Sequence, residues 1–198
     1  MVDTLARTAL LDGCRCPPGR CTLRAEPTIF EVGRKKTFGV RILDQAGREV
    51  HDLDEQHGQL LHLIVVRRDF IHYQILHPSH DENKRWSVPL ALPEPGVYRA
   101  FADFSFGGEP LTLNVDLSAS GEFRVEPLPS PTNVVRLEGD YEVLLEAETP
   151  TADSASPLGF RVRHEGAEVD DLEPYLGALG HLVALREGDL AYLHVHRT

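Results

Sequence analysis

From about residue 22 onward, apolar and polar positions alternate in short runs divided by Gly, Pro, Asn and Asp, with no sustained helical period. The alternation predicts strands over 22–32, 36–44, 62–68, 71–77, 86–92, 96–106 and 110–117, with a polar loop at 78–84. About seven strands in about ninety residues is the size of an immunoglobulin-type β-sandwich. Pro95-Gly96-Val97-Tyr98 opens one of these strands, and a tyrosine just after a tight corner can hydrogen-bond back to the turn. Trp86, the only tryptophan, reads as core. Residues 119–133 are rich in proline and read as a stiff linker. Beyond it, 134–137, 141–148 and 158–164 are again strand-like.

The pattern also repeats. At an offset of 119, residues 47–77 align with 166–196 without a gap, and 12 of the 31 positions are identical. Chance would give roughly two, so the chain reads as an internal duplication. The expected fold is all-β, with two tandem immunoglobulin-like or cupredoxin-like β-sandwich repeats. The expected divisions are a disordered leader at 1–21, repeat 1 at 22–118, the linker at 119–133 and repeat 2 at 134–198. Residues 78–118 have no counterpart after His196, so repeat 2 lacks its last strands, leaving sheet edges and an apolar face uncovered. Truncation is the expected reason; completion by another chain or a homo-oligomer, or packing on repeat 1, are the alternatives.

Both copies end in a histidine fifteen positions after an earlier one, His62 to His77 and His181 to His196. Gly188-Asp189 lies midway in the second copy and suits a two-residue hairpin turn; Asp69-Phe70 holds the same place in the first. Such hairpins set the paired histidines opposite each other, with Cβ atoms about 5 Å apart. Two imidazoles at that spacing can converge on one metal ion. Strand period adds His194 to His181 and His196, a set suited to copper(II) or zinc(II). In the first copy Ile75 stands where His194 stands, and His80, with Asp81 or Glu82, is the candidate for the missing ligands. His51, His57, His72 and His164 read as solvated or hydrogen-bonded. The competing reading is that duplicated histidines are duplicated core, their nitrogens satisfied by backbone.

Composition narrows the partners. Twenty basic against 31 acidic residues give a net charge of −11, which argues against nucleic acid or an anionic membrane surface. No apolar run approaches the roughly 20 residues of a membrane span. The N-terminus has no basic start, and Asp3, Arg7 and Asp12 interrupt any apolar segment, so no export signal is read there. Cys14, Cys16 and Cys21 cluster outside both repeats. They read either as thiolate ligands for a soft metal or as incidental thiols in a leader.

Several stretches carry a resemblance: His62-Leu-Ile-Val-Val-Arg-Arg-Asp69, Gln74-Ile-Leu-His77-Pro78, the strand from Trp86, and Pro95-Gly-Val-Tyr98 onward. Leu172-Glu-Pro-Tyr-Leu-Gly-Ala-Leu-Gly-His181 and Tyr192-Leu-His-Val-His196 do the same in the second half. Together, over roughly residues 22–196, the chain resembles uncharacterised actinobacterial envelope or secreted proteins, a group similar to the YtkA-like heavy-metal-associated β-sandwich family. The resemblance implies an extracytoplasmic location and copper handling. The chain departs from that pattern in its missing signal sequence, in Ile75, in Arg197 where proline would stand, and in its absent last strands. His194-Val-His196 also resembles copper ligands of copper–zinc superoxide dismutase. No Gly-x-Ser-x-Gly, His-Glu-x-x-His or phosphate loop appears. The sequence therefore points to a noncatalytic metal-binding protein, with an immunoglobulin-like interaction module as the alternative.

Overall fold

The computed structural model of the chain describes residues 5–6, 21–56, 58–81, 85–147, 156–175 and 179–196, with 5, 6, 156 and 193–196 taken by backbone alone. The fold is all-β, and no helix occurs among the described residues. In chain order the strands are β1 (Leu5–Ala6), β2 (Cys21–Glu26), β3 (Ile29–Glu31), β4 (Lys36–Asp44), β5 (His62–Arg67), β6 (Tyr73–Leu76), β7 (Ser79–His80) and β8 (Trp86–Leu90). They continue as β9 (Gly96–Phe106), β10 (Glu109–Ser120), β11 (Val134–Leu137), β12 (Tyr141–Ala147), β13 (Ser156–His164), β14 (Ala167–Glu168), β15 (His181–Leu185) and β16 (Tyr192–His196). Two compact units result: residues 14–128, and residues 129–198 with 1–13.

The described residues of the unit 14–128 form a β-sandwich. One sheet runs β2-β4-β8-β7 and the other β3-β10-β9-β5-β6. Alternation explains the core: Phe38, Val40 and Ile42 of β4 face inward against Leu63 and Val65 of β5 and Tyr98, Ala100, Ala102 and Phe104 of β9, all at most 1% exposed. Trp86 belongs to this core, as its sequence predicted. So does Cys21, which opens β2 rather than closing a leader; Cys14 and Cys16 lie outside the described residues. The predicted strand over 22–32 is two strands in different sheets. Pro27, with no N–H for the ladder, separates β2 from β3. The loop predicted at 78–84 instead donates a short edge strand, β7, to β8.

The corner before β9 is the one the sequence suggested. The Tyr98 hydroxyl, buried, donates to the Glu94 carbonyl oxygen at 2.9 Å. Beneath it lies a second device that the sequence did not show. Arg67, 1% exposed, bonds Asp69 at 2.8 Å, Glu94 at 2.8 Å and Glu126 at 3.3 Å. Its guanidinium lies 5.8 Å from the Phe123 ring centre. The first part of the predicted linker is thus fastened to the sandwich.

In residues 129–198, β11, β12, β13 and β14 form an antiparallel sheet that β1 joins at the edge of β13. Its register puts Val135 and Leu137 of β11, Tyr141, Val143 and Leu145 of β12, and Phe160 and Val162 of β13 on one face. The other face is charged: Arg161 bonds Glu146 at 2.5 Å and Glu168 at 2.9 Å, and Arg136 bonds Glu142 at 2.8 Å. On the apolar face Val135 and Phe160 are each 51% exposed. β15 and β16 form a separate hairpin.

Candidate metal centre

Register governs which histidines meet. In β5 and β6, Leu63 opposes Leu76, Ile64 opposes Ile75 and Val66 opposes Tyr73. The next pair in that register is His62 with His77, and their rings lie 5.1 Å apart between centres, inclined by 78°. In β15 and β16, His181 opposes His196 and Val183 opposes His194. His194 and His196 are placed by backbone register, two apart along one face. The two-residue turns do not occur. Arg67 and His72 close the first hairpin around a four-residue loop, with Phe70 at φ 67°, and Arg186 and Ala191 close the second, with Leu190 at φ 58°. An Arg67–Asp69 bond in one loop and an Arg186–Asp189 bond in the other hold these wider turns, and the register centre is unchanged.

The first histidine pair extends into a polar row that crosses the sheet. His62 opposes Asp103 of β9, and Asp103 opposes Thr112 of β10. Directly opposed residues share a face, so His77, His62, Asp103 and Thr112 line up on the face turned from the core. The Thr112 hydroxyl donates to the Asp103 carboxylate at 2.7 Å, and Asp103 is 8% exposed. Asp103 was not among the residues singled out by sequence. The signal was an acidic residue inside the apolar run Ala100-Phe101-Ala102-Asp103-Phe104. Ile64 and Val66, on the same face, are buried without belonging to the main core, while Tyr73 is 67% exposed.

Both hairpins fix their first histidine in the same way. His62 Nε2 donates to the Gln56 carbonyl at 3.3 Å, and His181 Nε2 donates to the Tyr175 carbonyl at 2.9 Å, each six residues back. A neutral imidazole that donates from Nε2 carries its lone pair on Nδ1.

The remaining candidates are placed elsewhere. His80 lies on β7 in the other sheet, its ring 3.8 Å from that of Trp86 and 6.3 Å from that of His51. Cross-strand pairing of His80 with Trp86 draws it onto the indole, so His80 does not complete the His62–His77 pair as expected. Glu82 lies outside the described residues, and Asp81 accepts the Arg85 amide at 2.9 Å. Among the described residues no three His, Cys, Asp or Glu gather as metal ligands. Of the histidines read as incidental, His51 and His72 approach Glu49 and Glu94 at 3.8 and 3.6 Å, and His164 stacks on Tyr141 at 4.2 Å. His57 lies outside the described residues.

The fold and this row describe an all-β protein built on a β-sandwich, with paired histidines on a sheet face. The chain belongs to the family described as a domain of unknown function, DUF8832, whose model matches residues 19–121 and 134–198. No curated protein and no solved structure matches the chain. Among the described residues, no helix is long and apolar enough to cross a membrane.

Proposed function

We propose that this chain is a noncatalytic metal-binding protein that takes zinc(II) or copper(II) at His62 and His77, with His181, His194 and His196 as the corresponding set in a tandem copy. The single observation that carries the reading is the ring spacing. Two imidazoles bound to one tetrahedral ion through nitrogens at about 2.0–2.1 Å place their ring centres about 5.2 Å apart. The His62 and His77 rings are 5.1 Å apart. The Nε2–H of His62, held by Gln56, turns Nδ1 into the metal-side nitrogen, an arrangement common for ligating histidine. Asp103, next in the row, supplies the negative charge that favours a divalent ion nearby. Copper handling outside the cytoplasm, implied by the resemblance, is the setting we attach to it.

A second reading has its own observation. His62 is 2% exposed and bonded to backbone, as a structural histidine in an interaction module is. Calorimetric titration of the purified protein with each ion separates the two. Saturable heat that a His62→Ala/His77→Ala double variant loses supports the metal site. Equal heats in both proteins assign the histidines to the core.

A further inference from the structure

On the outer face of the β2-β4-β8 sheet, far in kind from the histidine row, three arginines stand side by side. Arg24 opposes Arg41, and the β4–β8 register, which pairs Val40 with Trp86, places Arg85 next to Arg41 on the other side. The neighbouring row is Glu26, Gly39 and Ser87. These residues line a cavity of about 520 Å³ that Asp81 also borders. Gly39 has no side chain to fill it, and the volume lies in the range of small-molecule sites.

Like charges directly opposed on one sheet face repel, so such a row needs compensation. Little is present. Glu49 meets Arg41 at 3.3 Å, while Arg24 and Arg85 make no ion pair with a described residue. The sheet of the second unit shows the compensated version. At an offset of 120, Gly39 matches Gly159 and Arg41 matches Arg161. Arg161 is opposed by Leu144 instead of an arginine and is bonded by both Glu146 and Glu168. Glu168 matches Glu49 at an offset of 119, one residue shorter across the intervening turn, and Glu146, opposite Gly159, holds the place of Glu26 at 120. Glu26 makes no such bond: no ion pair links it to a described residue, Arg41 included.

We infer that Arg24, Arg41 and Arg85 form a binding site for an oxyanion, a phosphate or carboxylate group carried by a small molecule. Guanidinium groups in a row offer paired N–H donors to such a group, and the Ser87 hydroxyl adds another donor. Glu26 and Asp81, at the border, oppose a second negative charge and favour a ligand with a hydroxyl or ammonium beside its oxyanion.

The test is titration of ¹⁵N-labelled full chain with inorganic phosphate and, separately, citrate, with sodium chloride balancing ionic strength. Saturable amide shifts confined to residues around Arg24, Gly39 and Ser87 are expected for at least one probe, and which one identifies the oxyanion. Arg24→Gln should weaken binding about tenfold or more through loss of a charge-assisted bond, and Arg161→Gln should leave it unchanged. No saturable shift with either probe, or binding that Arg24→Gln and Arg85→Gln both retain, overturns the site.

Discussion

Arg67 and Asp69 form an ion pair at 2.8 Å with side chains only 1% and 6% exposed. Two residues apart in sequence, they join the end of β5 to the turn, and through Glu94 and Glu126 they tie in the corner before β9 and the segment after β10. Removing one partner of a buried pair leaves the other charge uncompensated. Arg67→Ala should therefore destabilise the protein by about 3–5 kcal/mol, measured by urea denaturation, whereas Arg34→Ala at an exposed pair should change little.

The same pair sets an acid limit. Burial works against an ionised Asp69, but the Arg67 guanidinium and the amides of Glu126 and Ile71 outweigh it and hold the carboxyl below its usual range. A group with a depressed folded value stabilises the fold above its unfolded value, about 3.9, and loses that contribution as pH falls through the folded one. Stability measured between pH 6 and pH 2 should fall below about pH 4, and Asp69→Asn should flatten that part of the curve.

The corner before β9 depends on two contacts of different kinds. Tyr98→Phe removes the hydroxyl that donates to Glu94 and should cost about 0.5–1.5 kcal/mol. Gly96, at φ 135°, has Phe123 Cδ2 2.8 Å from where a Cβ would stand. Gly96→Ala should cost about 1–3 kcal/mol from backbone strain alone. Adding Phe123→Ala should restore only the steric part, read from the difference in denaturation midpoints.

Ile75 opposes Ile64 and shares the face of His77. It stands two residues before His77, as His194 stands two before His196 in the β15–β16 hairpin. Ile75→His should add a third imidazole beside the pair and tighten zinc binding by about tenfold or more, equivalent to about 1.4 kcal/mol, in a calorimetric titration. Unchanged affinity would place the ion away from this face.

Much of this was legible in the sequence because side-chain alternation has a period of two. The strands over 36–44 and 96–106 follow from that period, the opposition of His181 and His196 from the midpoint of their hairpin, and the Tyr98 corner from the Pro95-Gly96 turn before it. What escaped were features decided by partners distant in sequence. Burial of Arg67 depends on Glu94 and Glu126, and Asp103 becomes part of the row only through cross-strand pairing with His62 and Thr112. The turns were misjudged because Phe70 and Leu190 take positive φ, which residue type alone disfavours. His80 was assigned by nearness in sequence to His77, while edge pairing with Trp86 decided its position.

The most direct measurement is a long-range ¹H–¹⁵N spectrum of the histidine rings, recorded without and with one equivalent of zinc. His62 should appear as the Nε2–H tautomer throughout, with its Nδ1 resonance and one nitrogen of His77 shifting together on addition of the ion. If neither ring responds, or if the His62 proton resides on Nδ1, the proposed metal centre is contradicted.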